Sequence, residues 1–192
     1  MVYVDDCLWD FDLEVALQNI SVQRREQALR YRHELGRRQS VLAYVLLKKA
    51  LRETYGIDEN PLFTYGEHGQ PLLTDYSDIH FSLSHCRQAV VCAVSDHPVG
   101  VDVEDLGRYK ESLARYAMNE AERAEIAAAA DGCDVAFTRL WTMKEAFLKS
   151  SGRGLSDHLK TVLDGVDCRQ FKTIVNSRKG YVYSVFSSDF VE

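Results

Sequence analysis

Apolar and polar positions follow two periods along the chain, and each change of period marks an element. Val41, Leu42, Val45, Leu46 and Leu51 recur at helical spacing and predict a helix over 40–55, stopped by Gly56. Residues 2–4 with 7–9 read as a short opening strand, and the Gly- and Pro-marked 65–71 as a turn. Strands follow at 79–83 and 89–94; the second is apolar throughout, as a strand buried on both faces must be. A further strand covers 99–103. The second half opens with helices at 110–118, at 120–130 with Asn119 as N-cap, and at 135–149, ended by Ser151-Gly152. Strands near 161–163, 171–175 and 181–186 close the chain.

Residues 85–96 and 176–187 echo each other: a basic turn, an apolar strand, then a Ser/Asp end. The identity is low and the period long. The echo nonetheless points to two similar α+β lobes joined between Asp96 and Val99.

With 192 residues the chain is one domain or two small lobes sharing a core. No apolar run is long and uncharged enough to span a membrane. Met1-Val2-Tyr3-Val4-Asp5-Asp6 carries acid where a secretory signal carries base, so a cytoplasmic protein is expected. The five cysteines are odd in number and lack CxxC spacing, which suggests free thiols rather than a zinc site or disulfide framework. A net charge of −6 speaks against nucleic acid as the partner. Residues 24–38 reverse that balance, with six arginines against two glutamates. A solvated helix face explains them, and so does a bound polyanion near Arg37 and Arg38.

Candidate chemistry falls in two blocks. In Gly100-Val101-Asp102-Val103-Glu104 the acids are two apart on a strand and share a face. Paired carboxylates suit a hard cation such as Mg²⁺, although such pairs are also common on exposed strand edges. In the block from Trp141 to Lys149, Leu140, Met143 and Phe147 define one helix face, and Glu145 and Lys149 lie on the opposite one. They form a surface ion pair, or a metal ligand beside a phosphate donor. The Gly152-Arg153-Gly154 tail would allow close approach to a ligand. His85, in Phe81-Ser82-Leu83-Ser84-His85, follows a strand. Ser84-His85 is no hydrolase pair, since adjacent strand residues face apart and no Gly-x-Ser-x-Gly elbow is present.

These blocks together resemble the 4′-phosphopantetheinyl transferase superfamily, in its larger, Sfp-like branch. The resemblance rests on 100–104, 141–149 with Gly152, Gly154 and Leu155, and 81–85 just upstream. It implies a pseudo-twofold α+β fold, an N-terminal lobe over 1–98 and a C-terminal lobe over 99–192, with coenzyme A in the cleft between them. It further implies transfer of 4′-phosphopantetheine to a serine of an acyl or peptidyl carrier protein, by a monomer using Mg²⁺. By the same resemblance Asp102, Glu104 and Glu145 match the metal ligands, Lys149 a lysine beside the pyrophosphate, and Lys144 one that organises the site. Ser84 and His85 match contacts to the coenzyme's phosphates, and Arg24 and Ser40 lie near its 3′-phosphate. Arg37 or Arg38 joins them, and Glu122 matches a glutamate proposed as general base. Gln70 departs from the pattern, standing where many relatives carry lysine or arginine. Two other readings stay open: a degenerate module that binds without turnover, and another Mg²⁺-dependent phosphotransferase. A Walker-type loop is absent from the sequence.

Overall fold

In the computed structural model, residues 1–152 and 158–191 are described. The first half runs β1 (Val2–Asp5), α1 (Leu13–Gln18), α2 (Val22–Leu29), α3 (Glu34–Tyr55), β2 (Phe63–Tyr65), β3 (Pro71–Leu73), β4 (His80–His85) and β5 (Val90–Ser95). The second runs β6 (Val99–Asp105), α4 (Glu111–Ala117), α5 (Glu120–Ala128), α6 (Cys133–Ser150), β7 (Phe171–Asn176) and β8 (Tyr181–Ser187). Helices and small antiparallel sheets make the fold α+β.

The two main sheets are wired alike. In β1-β5-β4 the last strand lies between the first and the next-to-last, and β6-β8-β7 repeats that order. The two echoing segments are the matching hairpin ends, β4-turn-β5 and β7-turn-β8. The boundary expected after residue 98 falls in the connection between β5 and β6.

Why β5 is apolar throughout is now visible. Val90, Cys92 and Val94 join the core under α3, while Val91 and Ala93 meet Val101 and Val103 of β6 on the other side. Edge strands β4 and β6 come together without forming a ladder. Ser82 and Ser84 of β4 accept the Val101 and Val103 backbone N–H groups at 3.0 and 3.3 Å, so β6 has no stranded donors there. On the opposite face of β6, a Cβ at Gly100 would overlap the Ala146 carbonyl oxygen, and glycine lets α6 lie directly on the strand.

Several expectations are corrected. The long helix starts at Glu34, not Ser40, so Arg37 and Arg38 lie inside it. Its first turns are polar and His33 offers no side-chain cap, which leaves no signal for the start. The arginine-rich stretch is not one helix: α2 ends at Leu29, and α3 begins four residues beyond its C-cap Arg30. Cys7–Trp9 forms a turn instead of extending β1, and α1 and the β2–β3 hairpin were not foreseen. The strand expected at 161–163 is a 3₁₀ turn over Leu159–Thr161. There Lys144 and Asn119 claim the Leu159 and Lys160 carbonyls, so the β-branched residues find no strand partner. Finally, α6 is not one-sided: Ala136, Leu140, Thr142, Lys144, Ala146 and Leu148 are all buried, because the helix lies between the β6-β8-β7 sheet and α5.

Candidate active site at the junction of β4, β6 and α6

Three elements converge here because of their periods. The even positions of β6 carry Asp102 and Glu104 toward α6, and one turn of α6 separates Glu145 from Lys149. The Lys149 ammonium lies 2.6 Å from Asp102 Oδ1 and donates to Ser84 Oγ at 3.0 Å. Ser84 in turn donates to Asp102 Oδ1 at 2.8 Å. The Asp102 side chain is buried, and its Oδ2 has no partner; neither has the buried Oε1 of Glu145.

The acids feel one another. Desolvation pushes the Glu145 carboxyl up to about 7, with Asp102 and then Glu104 adding to the rise and Lys149 opposing it. Glu104 is also raised, first by burial and then by Asp102, while its partner Arg108 pulls the other way. Three carboxylates thus share one neighbourhood with one ammonium among them. Among the described residues, no group of three His, Cys, Asp or Glu side chains is drawn together tightly enough to hold a metal as it stands. Still, two orphaned carboxylate oxygens in a buried, acid-rich corner are what a hard cation would satisfy.

The basic side lies next to it. His85 ends β4 with its surface open to solvent. Desolvation by the surrounding protein, then the charges of Lys149 and Arg24, hold its imidazole below the ordinary value. Arg24 itself is lowered by burial. Its guanidinium is held by the Ser40 carbonyl at 2.7 and 3.0 Å and by Gln27 Oε1 at 3.0 Å, and the buried Ser40 hydroxyl has no partner. Arg38 is occupied elsewhere: it bonds Glu34 and the Leu8 and Phe11 carbonyls and lies over the Trp9 and Phe11 rings. Arg37 donates to the Tyr31 carbonyl.

A cleft of about 610 Å³ opens beside Lys149, lined by the His68-to-Pro71 turn, Phe81 to Leu83, Leu148 and Gly152. Gln70 reaches across it, its amide 3.4 Å from the Lys149 carbonyl and its Oε1 filling the space a Cβ at Gly152 would need. Arg153, Gly154 and Leu155 lie outside the described residues.

Lys144 and Glu122 form a separate pair on the far side of α6. Lys144 is 1% exposed, and its ammonium lies 2.7 and 2.8 Å from the two Glu122 oxygens and 2.6 Å from the Leu159 carbonyl. Glu122 also accepts the Asn119 N–H at 2.8 Å and completes the capping box of α5. The glutamate expected as a base is therefore already engaged.

Ser82 and Arg108 were not foreseen. Ser82 shares its strand face with Ser84, and Arg108 stands four residues after Glu104, so both spacings were available in the sequence.

With that geometry in view, the description of the 4′-phosphopantetheinyl transferase superfamily matches residues 98–189. The transferase Sfp of Bacillus subtilis strain 168 is 31% identical over 157 residues, 81% of this chain and 70% of Sfp. The chain belongs to the 4′-phosphopantetheinyl transferase superfamily. The transferase gsp of Aneurinibacillus migulanus is 33% identical over 82% of this chain and 65% of its own length. The transferase psf-1 of Bacillus pumilus is 32% identical over 71% and 60%. The family match takes in β6, α6 and all three carboxylates, whereas Ser84, His85 and Arg24 lie before it. No described helix is long and apolar enough to cross a membrane.

Proposed function

We propose that this chain moves the 4′-phosphopantetheine arm of coenzyme A onto a serine of an acyl or peptidyl carrier protein, with Mg²⁺ as cofactor. The observation that carries the reading is the meeting of acidic and basic groups at Lys149. Its ammonium lies 2.6 Å from Asp102, whose charge joins those of Glu104 and Glu145, while Lys149 and Arg24 both act on His85. A pyrophosphate bound to a divalent cation needs both.

Asp102, Glu104 and Glu145 would hold the cation, and the unpartnered oxygens of Asp102 and Glu145 support that role. A Mg²⁺ held there would supply charge neutralisation to the pyrophosphate and help hold it for in-line attack. Arg24, Ser84 and His85 bind the coenzyme's phosphates, and the cleft beside Gln70 receives its nucleoside end. As the carrier serine oxygen bonds to phosphorus, the bridging P–O bond breaks and 3′,5′-adenosine diphosphate leaves. Lys149 stabilises the charge gathering on that leaving group.

The serine proton departs to water. Taking it up at Glu122 would discharge the carboxylate that holds a buried ammonium, which supports a positioning role for Glu122 and Lys144 instead. The like-wired sheets support a pseudo-twofold pair of lobes, 1–98 and 99–192, with the coenzyme between them. A single chain then supplies both walls of the cleft, so we read the protein as a monomer, and as cytoplasmic.

Mass spectrometry of an apo carrier incubated with the protein, coenzyme A and Mg²⁺ tests this directly. The carrier should gain one phosphopantetheine, and only with all three present. An unmodified carrier alongside tight coenzyme A binding would make the chain a binding module.

A further inference from the structure

We propose that the Lys149 ammonium is the site's built-in counter-ion: it stands on Asp102 in the free protein and yields that place when a divalent cation arrives. This rests on the reading of Asp102, Glu104 and Glu145 as cation ligands.

The arrangement requires some cation. Burying several carboxylates in mutual contact is unfavourable unless positive charge joins them. Of the nearby cations, Lys144 is committed to Glu122, Arg108 to Glu104, and Arg24 to the Ser40 carbonyl. Only Lys149 reaches Asp102, at 2.6 Å, among the described residues.

The two partners differ in freedom. The Asp102 side chain is 6% exposed, is fixed on a paired strand and is held by Ser84; the Lys149 side chain is 33% exposed on a flexible stem. The lysine is therefore the partner that moves. Ser84 makes the exchange orderly. It donates to the same Asp102 oxygen that Lys149 touches and accepts from Val103 N–H, so the acid keeps its aim when the ammonium leaves. An ammonium released from Asp102 remains beside the cleft that Lys149 lines.

A consequence follows for binding order. In the free protein a metal ion must displace an ammonium, so its affinity is held down. A ligand whose pyrophosphate takes up Lys149 lifts that restraint, and by linkage the metal strengthens the ligand equally.

The test is a titration with Mn²⁺ near pH 8, following unbound metal by electron paramagnetic resonance, without coenzyme A and then with it. Metal held by coenzyme A alone is subtracted. Lys149→Gln should bind Mn²⁺ about tenfold more tightly than wild type in the free state. Lys149→Arg, which keeps the charge, should not. In chelator the Lys149→Gln protein should melt below wild type, and Mn²⁺ should raise its melting point by more. Equal or weaker free-state binding by Lys149→Gln overturns the counter-ion proposal. If wild type then still binds Mn²⁺ with coenzyme A, only that proposal has failed; if it binds none in either state, the carboxylates are not metal ligands and both readings fall.

Discussion

Helix α6 carries two lysines five residues apart, and the fold treats them in opposite ways. Lys144 is shut into the core against Glu122, a helix cap and a backbone carbonyl, so every donor has a fixed acceptor. Lys149 is a third exposed, shares its acid with a serine, and leaves two carboxylate oxygens nearby without partners. A fully satisfied buried pair is a structural joint, because moving either member strands the other. An unevenly satisfied cluster at a cleft is ready for exchange. The same residue type is therefore fully satisfied at one turn of the helix and only partly at the next, which supports the chemical role proposed for Lys149.

The comparison breaks first at the carboxylates. Asp102→Asn and Glu145→Gln should each lower carrier modification by at least about a hundredfold, since a divalent cation needs anionic oxygens. Circular dichroism should show that the fold is kept. Near-normal turnover at limiting Mg²⁺ in either variant would remove that residue from the ligand set.

The Lys144 joint should fail as stability, not chemistry. Lys144→Met and Glu122→Ala each leave one buried charge unpaired and should cost about 3–5 kcal/mol in urea unfolding. Glu122→Gln is the sharper variant. Its amide oxygen can still accept from Lys144 and from the Asn119 N–H, so the folded Glu122→Gln protein should keep most of its kcat with an unchanged pH profile. A loss of several hundredfold in kcat with normal stability would instead make Glu122 the base.

The placement of the acids, though not this division between the lysines, was legible in the sequence. The acids at 102 and 104 had to share a strand face, 145 and 149 a helix face, and the echoing hairpins are the corresponding ends of the two sheets. Hidden from it were facts set by contacts distant in sequence. Nothing local says that Lys144 turns inward, because its acid lies 22 residues upstream on another helix. The one-sided reading of α6 failed for a related reason: a helix buried on two sides has no single apolar stripe. Nor does anything local say that Arg38 is held by the Leu8 and Phe11 carbonyls of the N-terminal segment.

Glu145 offers a subtler test in metal-free protein. Its carboxyl is at about 7 in the fold against an ordinary 4.5, so between those values the folded chain holds a proton that the unfolded chain has released. Stability should therefore fall as pH rises through that window and level off above it. Glu145→Gln removes the titration. In chelator it should be more stable than wild type by about 1–3 kcal/mol at pH 8, and nearly equal at pH 4.5. Denaturant titrations at both pH values measure the difference. Parallel curves would mean that burial and the neighbouring acids raise Glu145 less than their placement implies.

The smallest expected effect concerns Arg24, which combines features of both lysines. Like Lys144 it is held in place, by the Ser40 carbonyl and Gln27. Like Lys149 it has capacity left, because those bonds occupy only part of a guanidinium with five N–H donors. No carboxylate pairs with it among the described residues, and desolvation alone lowers its affinity for its proton. A positioned cation without an anion is suited to a phosphate, and the 3′-phosphate of coenzyme A is the one we assign. A charge-assisted bond of that kind contributes about 1.5–3 kcal/mol. Wild type should accordingly bind coenzyme A about tenfold or more tightly than dephospho-coenzyme A in calorimetry. In Arg24→Ala that gap should close because coenzyme A weakens while the dephospho form changes little. Arg24→Lys should recover part of it, since an ammonium keeps the charge but lacks the planar five-donor fork of a guanidinium. If both ligands weaken equally in Arg24→Ala, the arginine braces α2 against α3, and the 3′-phosphate is bound by other residues.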